Sequence, residues 1–200
     1  GADGIMLVPP YFYSVRPFDI ERHFAAIADA CDLPVILFHT PGRSGVRLNA
    51  DELLTLIHGI PSIRGIKDAS GDMVLAGEVI NGAPEGFSFM QGLDELLLPS
   101  LATGAAGAIV SLGELFPRSL RALFEHAGRG ELERARRIQS GLLPLCRWIY
   151  SEPNPGPLKY ALELAGRPAG PCRPPIYGPQ DATGQVLREL LPPLLRAEAG

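Results

Sequence analysis

Short apolar runs recur along the chain at intervals of roughly 20–30 residues, and a segment of helical periodicity follows each one. The runs are Gly4-Ile5-Met6-Leu7-Val8, Pro34-Val35-Ile36-Leu37-Phe38, Ile63-Arg64-Gly65-Ile66-Lys67, Phe87-Ser88-Phe89-Met90 and Ala108-Ile109-Val110. Most are nearly continuous in apolar character, as strands buried on both faces are. Ile20, Phe24, Ile27, Ala28 and Cys31 fall on one helical face. Asn49 with Glu52 three positions on has the spacing of a capping box ahead of Leu53, Leu54 and Ile57. Leu96, Leu97 and Leu101 mark a further helix. Pro117 stands where a first helical turn tolerates proline, ahead of Leu120, Leu123 and Phe124.

Strand, helix, strand is the βαβ rhythm. An open doubly wound sheet is one solution. A (β/α)8 barrel fits better, and it needs eight units and about 250 residues, against the five visible units and 200 residues of this sequence. After the fifth run come only helical patterns, over about 130–150, 156–166 and 181–197. The deficit of about three units is therefore expected at the N-terminus. There, Gly1-Ala2-Asp3-Gly4 lacks an initiator Met and runs straight into a strand. The expected architecture is α/β: the last five βα units of a partial (β/α)8 TIM barrel over residues 1–128, then a helical extension over 129–200. Such a piece alone leaves two unpaired strand edges. The proline-rich stretches Pro153–Pro157 and Pro168–Pro175 read as rigid connections between the C-terminal helices.

A net charge of −4 argues against a nucleic-acid partner held by basic charge. No apolar run reaches the roughly 18 residues needed to span a bilayer, so no membrane partner is expected. Cys31, Cys146 and Cys172 are odd in number and widely spaced, which suggests neither a disulfide framework nor a zinc site. Buried free thiols in a reducing cytoplasm are the simpler account. No metal cluster, P-loop or dinucleotide fingerprint appears, and no cofactor is expected.

The chain holds 18 basic residues, and only Lys67 and Lys159 among them are lysines. Arginine cannot supply a neutral amine, because its pKa stays above ~12. Lys67 closes an apolar strand, and in a parallel barrel functional groups gather at the C-terminal ends of strands. A lysine desolvated there has a lowered pKa. As a neutral amine it can attack a ketone and form an imine, an electron sink. The alternative is a structural lysine, snorkelling or paired with Asp68.

Pro41-Gly42 is turn chemistry and holds Arg43 in a loop on the same rim, where it can bind a carboxylate bidentately. The alternative is an ordinary surface arginine. His39 can transfer protons near neutral pH. Strand alternation opposes this: with Phe38 inward, His39 points outward and reads as structural. Tyr11 and Phe12, in the loop after the first run, are candidates to line a pocket or a subunit contact. Gly92 and Ile109 lie near the ends of the last two strands, where backbone groups can meet a ligand. His23, His58 and His126 fall on helices as ordinary surface or half-buried residues.

The run Gly65-Ile66-Lys67-Asp68-Ala69-Ser70-Gly71-Asp72 resembles the Schiff-base strand of the dihydrodipicolinate synthase and N-acetylneuraminate lyase family. Pro41-Gly42-Arg43-Ser44-Gly45, Pro10-Tyr11 and Glu152-Pro153-Asn154-Pro155 match the same family in the same order. The resemblance covers essentially the whole chain and implies a (β/α)8 barrel with a C-terminal helical extension. Its implied activity is a class I aldolase-type lyase or synthase, in which pyruvate or a derived 2-oxo acid condenses on Lys67. The implied partners are that oxo acid, an aldehyde and further copies of the chain, as a homotetramer or dimer. The Arg43 motif is similar to the synthase branch. There, this arginine helps bind the carboxylate of aspartate semialdehyde, on the way to lysine. The backbones of Gly92 and Ile109 are implied to face the site.

Three departures follow from the same resemblance. Phe38 stands where the family's proton-relay tyrosine is usual, and a phenylalanine has no hydroxyl to relay with. Phe12 stands where the synthases carry a second tyrosine that reaches a neighbouring subunit; Tyr11 or Tyr13 are its possible substitutes. The threonine loop that grips the pyruvate carboxylate falls in the absent N-terminal part, so this chain by itself is expected not to turn over. Two other readings stand beside the synthase. One is a 2-keto-3-deoxy sugar-acid aldolase, to whose tails Cys172-Arg173-Pro174-Pro175-Ile176 is similar. The other is a catalytically impaired, 2-oxo-acid-binding paralogue.

Overall fold

The computed structural model describes residues 1–199. Their contacts fall into two compact units, Gly1–Ile109 and the chain from Val110 onward.

In the first unit, β1 (Ile5–Leu7), β2 (Val35–His39), β3 (Ile63–Asp68), β4 (Ser88–Gln91) and β5 (Gly107–Ala108) form one sheet. Every neighbouring pair is parallel, and the spatial order follows the sequence. An open doubly wound sheet reverses its order at a switch point. Sequential order with right-handed crossovers keeps the connecting helices on one side, which is barrel winding. Those helices are α1 (Pro17–Ala30), α2 (Pro41–Ser44), α3 (Ala50–Gly59), α4 (Met73–Gly82) and α5 (Leu97–Thr103).

Strand alternation divides the sheet into two faces. Val35, Leu37 and His39 of β2 are buried with Ile63 and Ile66 of β3 and Phe89 of β4, packed with Ile20 and Phe24 of α1, Leu53 of α3 and Val79 of α4. Ile36, Phe38, Lys67 and Met90 lie on the other face and are only partly buried.

Local signals account for the helix starts. Asn49 accepts from the Glu52 N–H while the Glu52 carboxylate accepts from the Asn49 N–H, the reciprocal box expected from their spacing. Asp72 caps α4 by accepting from Val74 and Leu75. Some boundaries differ from expectation. β5 covers only Gly107–Ala108, so Ile109 and Val110 of the expected run lie beyond it. Leu96 belongs to a 3-10 turn, Asp94–Leu96, closed by its own N–H to the Leu93 carbonyl at 3.1 Å, and the α-helix starts one residue later. Cys31 follows α1 rather than lying on it, and its Sγ donates to the Ile27 carbonyl.

The second unit opens with a 3-10 turn, Ser111–Glu114, followed by α6 (Pro117–Gly128), α7 (Leu132–Ile149), α8 (Gly156–Leu164) and α9 (Asp181–Ala199). Pro117 occupies the first turn of α6, where its missing N–H costs nothing. Leu123, Ala135, Leu145, Ile149, Ala161, Leu187 and Leu191 are buried. The Glu198 carboxylate near the end of α9 accepts from the Arg118 and Ser119 N–H groups, capping the start of α6. Glu152, from the proline-rich connection, accepts from the Gln180 N–H. Among the described residues, no helix is long and apolar enough to cross a membrane.

Candidate functional site

Lys67 is the penultimate residue of β3, on the half-open face of the sheet. Its register partners are Phe38 on β2 and Met90 on β4. The Lys67 Nζ lies 4.3 Å from the centroid of the Phe38 ring. Desolvation pushes the Lys67 pKa down, and the positive charge of Arg43 pushes it further the same way. The Asp94 carboxylate opposes both. A lowered pKa raises the share of neutral amine, the form that can attack a carbonyl.

Asp68 does not pair with Lys67. Strand alternation turns it to the opposite face, where its carboxylate is taken by His39 and Ser70. His39 is fully buried on that same face, so the structure brings it to Asp68 and not to the Lys67 amine.

Arg43 sits in one helical turn rather than in a loop. Pro41 supplies the first-turn φ, and Gly45, at φ 71°, ends the turn by donating its N–H to the Pro41 carbonyl. The conformation that needs a glycine therefore falls at Gly45 and not at Gly42. Arg43 remains exposed on the rim at which β2 and β3 end.

The N–H groups of Gly92 and Ile109 are already committed, to the Asp68 carbonyl at 2.7 Å and to the Gln91 carbonyl at 2.9 Å. Any backbone hydrogen bond to a ligand there falls on their own carbonyls. Gly92 also has a packing role, since a Cβ would stand 2.7 Å from the Asp68 oxygen. Tyr11, Phe12 and Tyr13 are strongly exposed, with Phe12 at 85%. They wall a cleft of about 420 Å3 with Val46, Arg47 and Glu52, and Lys67 is not among its lining residues.

Asp94 was missed by sequence reasoning. It is a buried carboxylate two residues beyond Gly92, on the rim where β4 ends. Its signal was an acidic residue just past a strand-ending glycine. No group of three or more His, Cys, Asp or Glu suited to a metal ion occurs among the described residues.

A model of the dihydrodipicolinate synthetase family matches residues 1–192. The chain is 39% identical over 191 residues to a 4-hydroxy-tetrahydrodipicolinate synthase of Exiguobacterium sibiricum, covering 96% of this chain and 65% of that protein. A namesake from Methanopyrus kandleri is 37% identical over 191 residues, covering 96% and 64%. The solved dihydrodipicolinate synthase of Aquifex aeolicus is similar at a TM-score of 0.91 and 31% identity, over 97% of this chain and 66% of that one. The 4-hydroxy-tetrahydrodipicolinate synthase of Methylacidiphilum fumariolicum reaches a TM-score of 0.92 at 33% identity, over 99% and 66%. The five parallel strands thus match barrel structures over about two-thirds of their length. The chain spans about 65% of the length of the curated relatives it matches.

Proposed function

The chain belongs to the dihydrodipicolinate synthetase family, and from that premise we propose that Lys67 forms a Schiff base with pyruvate or a related 2-oxo acid. The observation that carries this reading is the Lys67 amine: partly desolvated, lowered in pKa, and on the rim where parallel strands end. The amine adds to the ketone carbon and water leaves, giving an imine. Loss of a methyl proton yields the enamine, which attacks an aldehyde carbon, and hydrolysis frees the lysine. Arg43 supplies a cation for a substrate carboxylate. The carbonyls of Gly92 and Ile109 line the same site in this reading, whereas Tyr11 and Phe12 wall a separate cleft.

The similarity to 4-hydroxy-tetrahydrodipicolinate synthases supports aspartate semialdehyde as the second substrate, and with it a place in lysine biosynthesis. The division into a barrel part over 1–128 and a helical extension over 129–200 belongs to the same reading, with α6 as the fifth helix to follow a strand. The exposed aromatics at Tyr11–Tyr13 support contact with a further copy of the chain, in a homotetramer or dimer. Three free cysteines accord with a cytoplasmic setting. Steady-state turnover with pyruvate and a panel of aldehydes, in a protein that carries this chain within the full length of its relatives, tests the assignment. Activity with aspartate semialdehyde is expected. Activity confined to sugar-derived aldehydes would replace it with a 2-keto-3-deoxy sugar-acid aldolase.

One observation favours a second reading. Phe38, not a tyrosine, stands against the amine, so no hydroxyl is present at that position to move protons. Imine formation without turnover, in a protein of the relatives' full length, would mark a 2-oxo-acid-binding paralogue.

A further inference from the structure

We propose that the buried His39–Asp68 pair is a positioning device for the Lys67 amine. The proposal rests on the Schiff-base reading for its functional meaning, though not for its geometry. The His39 ring is 0% exposed and Asp68 is 1% exposed. His39 Nδ1 and Asp68 Oδ1 are 2.6 Å apart. The Leu48 N–H donates to His39 Nε2 at 3.2 Å, which makes Nε2 the acceptor and leaves the proton on Nδ1, facing the carboxylate. The other Asp68 oxygen accepts from the Ser70 hydroxyl at 2.8 Å and from the Ser70 N–H at 3.3 Å.

The pair joins β2 to β3 one residue beyond the Phe38/Lys67 pair and on the opposite face. Main-chain bonds secure the same level. The Ala69 N–H donates to the His39 carbonyl at 2.8 Å, and the Gly92 N–H to the Asp68 carbonyl at 2.7 Å. Asp68 is thus tied to β2 and to the following loop by its side chain, and to the end of β4 by its carbonyl. Lys67, its neighbour in the chain, has a backbone that cannot slide or tilt without breaking these bonds.

Two apolar side chains would fill the layer beside Leu37 and Ile66 without the cost of dehydrating a carboxylate. What apolar contacts lack is direction. Hydrogen bonds fix distance and angle, and a slip of one residue in a strand sends each side chain to the other face. The pair therefore supplies register at the place where register decides which way Lys67 points.

The charged groups facing Lys67 are Arg43 from α2 and Asp94 from the 3-10 turn, beside the neutral Phe38 of β2 and Met90 of β4. Removing only His39 leaves the Asp68 carboxylate with Ser70 as its remaining side-chain partner, and a carboxylate that has lost a donor presents more of its negative charge to this set, which favours the ammonium form.

The test measures Lys67 labelling by an amine-directed reagent across pH, read by peptide mass with Lys159 as the internal reference. Borohydride trapping of the pyruvate imine is measured in parallel. The variants are His39→Leu, His39→Asn and the double change His39→Leu with Asp68→Leu. His39→Leu is expected to shift Lys67 labelling to higher pH and to slow trapping about tenfold or more, since a misplacement of about 1 Å can cost on the order of 100-fold. His39→Asn, which keeps a donor and an acceptor, is expected to recover at least part of the rate. The double variant is expected to unfold at no lower temperature than the parent and still to trap slowly. A double variant that is folded, with parental labelling and trapping, would overturn the proposal. So would a His39→Asn variant as slow as His39→Leu in a protein of unchanged stability. Labelling needs no substrate, which keeps the two ideas apart. A parent protein without a pyruvate adduct, but with labelling that responds to His39, retains the positioning role and removes the Schiff base. An adduct indifferent to all three variants does the reverse.

Discussion

The Lys67 Nζ stands 4.3 Å from the centre of the Phe38 ring, and the two residues are register partners between β2 and β3. An aromatic face attracts a cation. The ring therefore holds the ammonium form, while desolvation and Arg43 favour the neutral amine. Phe38→Leu removes the ring and is expected to move Lys67 labelling to lower pH. Phe38→Tyr keeps the ring and adds a hydroxyl. If proton relay limits the rate, turnover in a protein of the relatives' full length rises on the order of 100-fold, with the labelling profile nearly unchanged. Rates and labelling of the two variants, measured together, separate the ring's electrostatic part from its missing hydroxyl.

Arg43 is exposed and lowers the Lys67 pKa through its charge. Arg43→Ala is expected to move the pH midpoint of Lys67 labelling upward and to weaken saturation by carboxylate-bearing substrates. Stability should change by no more than about 0.5 kcal/mol, as for most exposed positions. A labelling midpoint that moves downward or stays in place would contradict the electrostatic assignment.

Holding a cation in a partly dehydrated place costs stability. The folded-state pKa of Lys67 lies below the ordinary lysine value of 10.5, so the unfolded chain binds the proton more tightly. The penalty is fully present below the folded pKa and fades as pH rises from there to the ordinary value. Lys67→Met is accordingly expected to raise stability near neutral pH, with the gain shrinking toward about pH 10. Urea unfolding at the two pH values measures it. A variant less stable by the same amount at both would show that Lys67 is a structural residue.

Gly92 lets the end of β4 approach Asp68. A Cβ at this position would meet the Asp68 carbonyl oxygen at 2.7 Å and the Ala69 Cβ at 3.0 Å. Gly92→Ala is expected to cost about 1–3 kcal/mol in urea unfolding, as overpacking does, and to slow imine trapping by shifting the peptide beside Lys67. A variant with unchanged stability would show that the strands can part there at no cost.

Legibility followed the range of the interactions. The five strands were readable because continuous apolar runs mark buried parallel strands. The Asn49–Glu52 box was readable because both partners lie within one turn. The place of Lys67 followed from one rule, that it ends a strand. The His39–Asp68 bond links residues 29 apart, and no local pattern announces it. Alternation did turn His39 away from the Phe38 side, but the choice of Asp68 as its partner needed the register between two strands. The same register removed the alternative in which Asp68 pairs with Lys67. Asp94 stayed hidden because its burial depends on elements brought together only by the fold. In Pro41–Gly45, the sequence holds two glycines, and only the backbone angles tell that Gly45 is the one needed.

The most direct measurement is borohydride reduction of the folded protein with pyruvate, followed by peptide mass mapping of both lysines. The account predicts one reduced pyruvate unit on the peptide carrying Lys67, absent in Lys67→Met, with Lys159 unmodified. A Lys67 peptide that stays free of adduct at saturating pyruvate, in protein that remains folded, would contradict it.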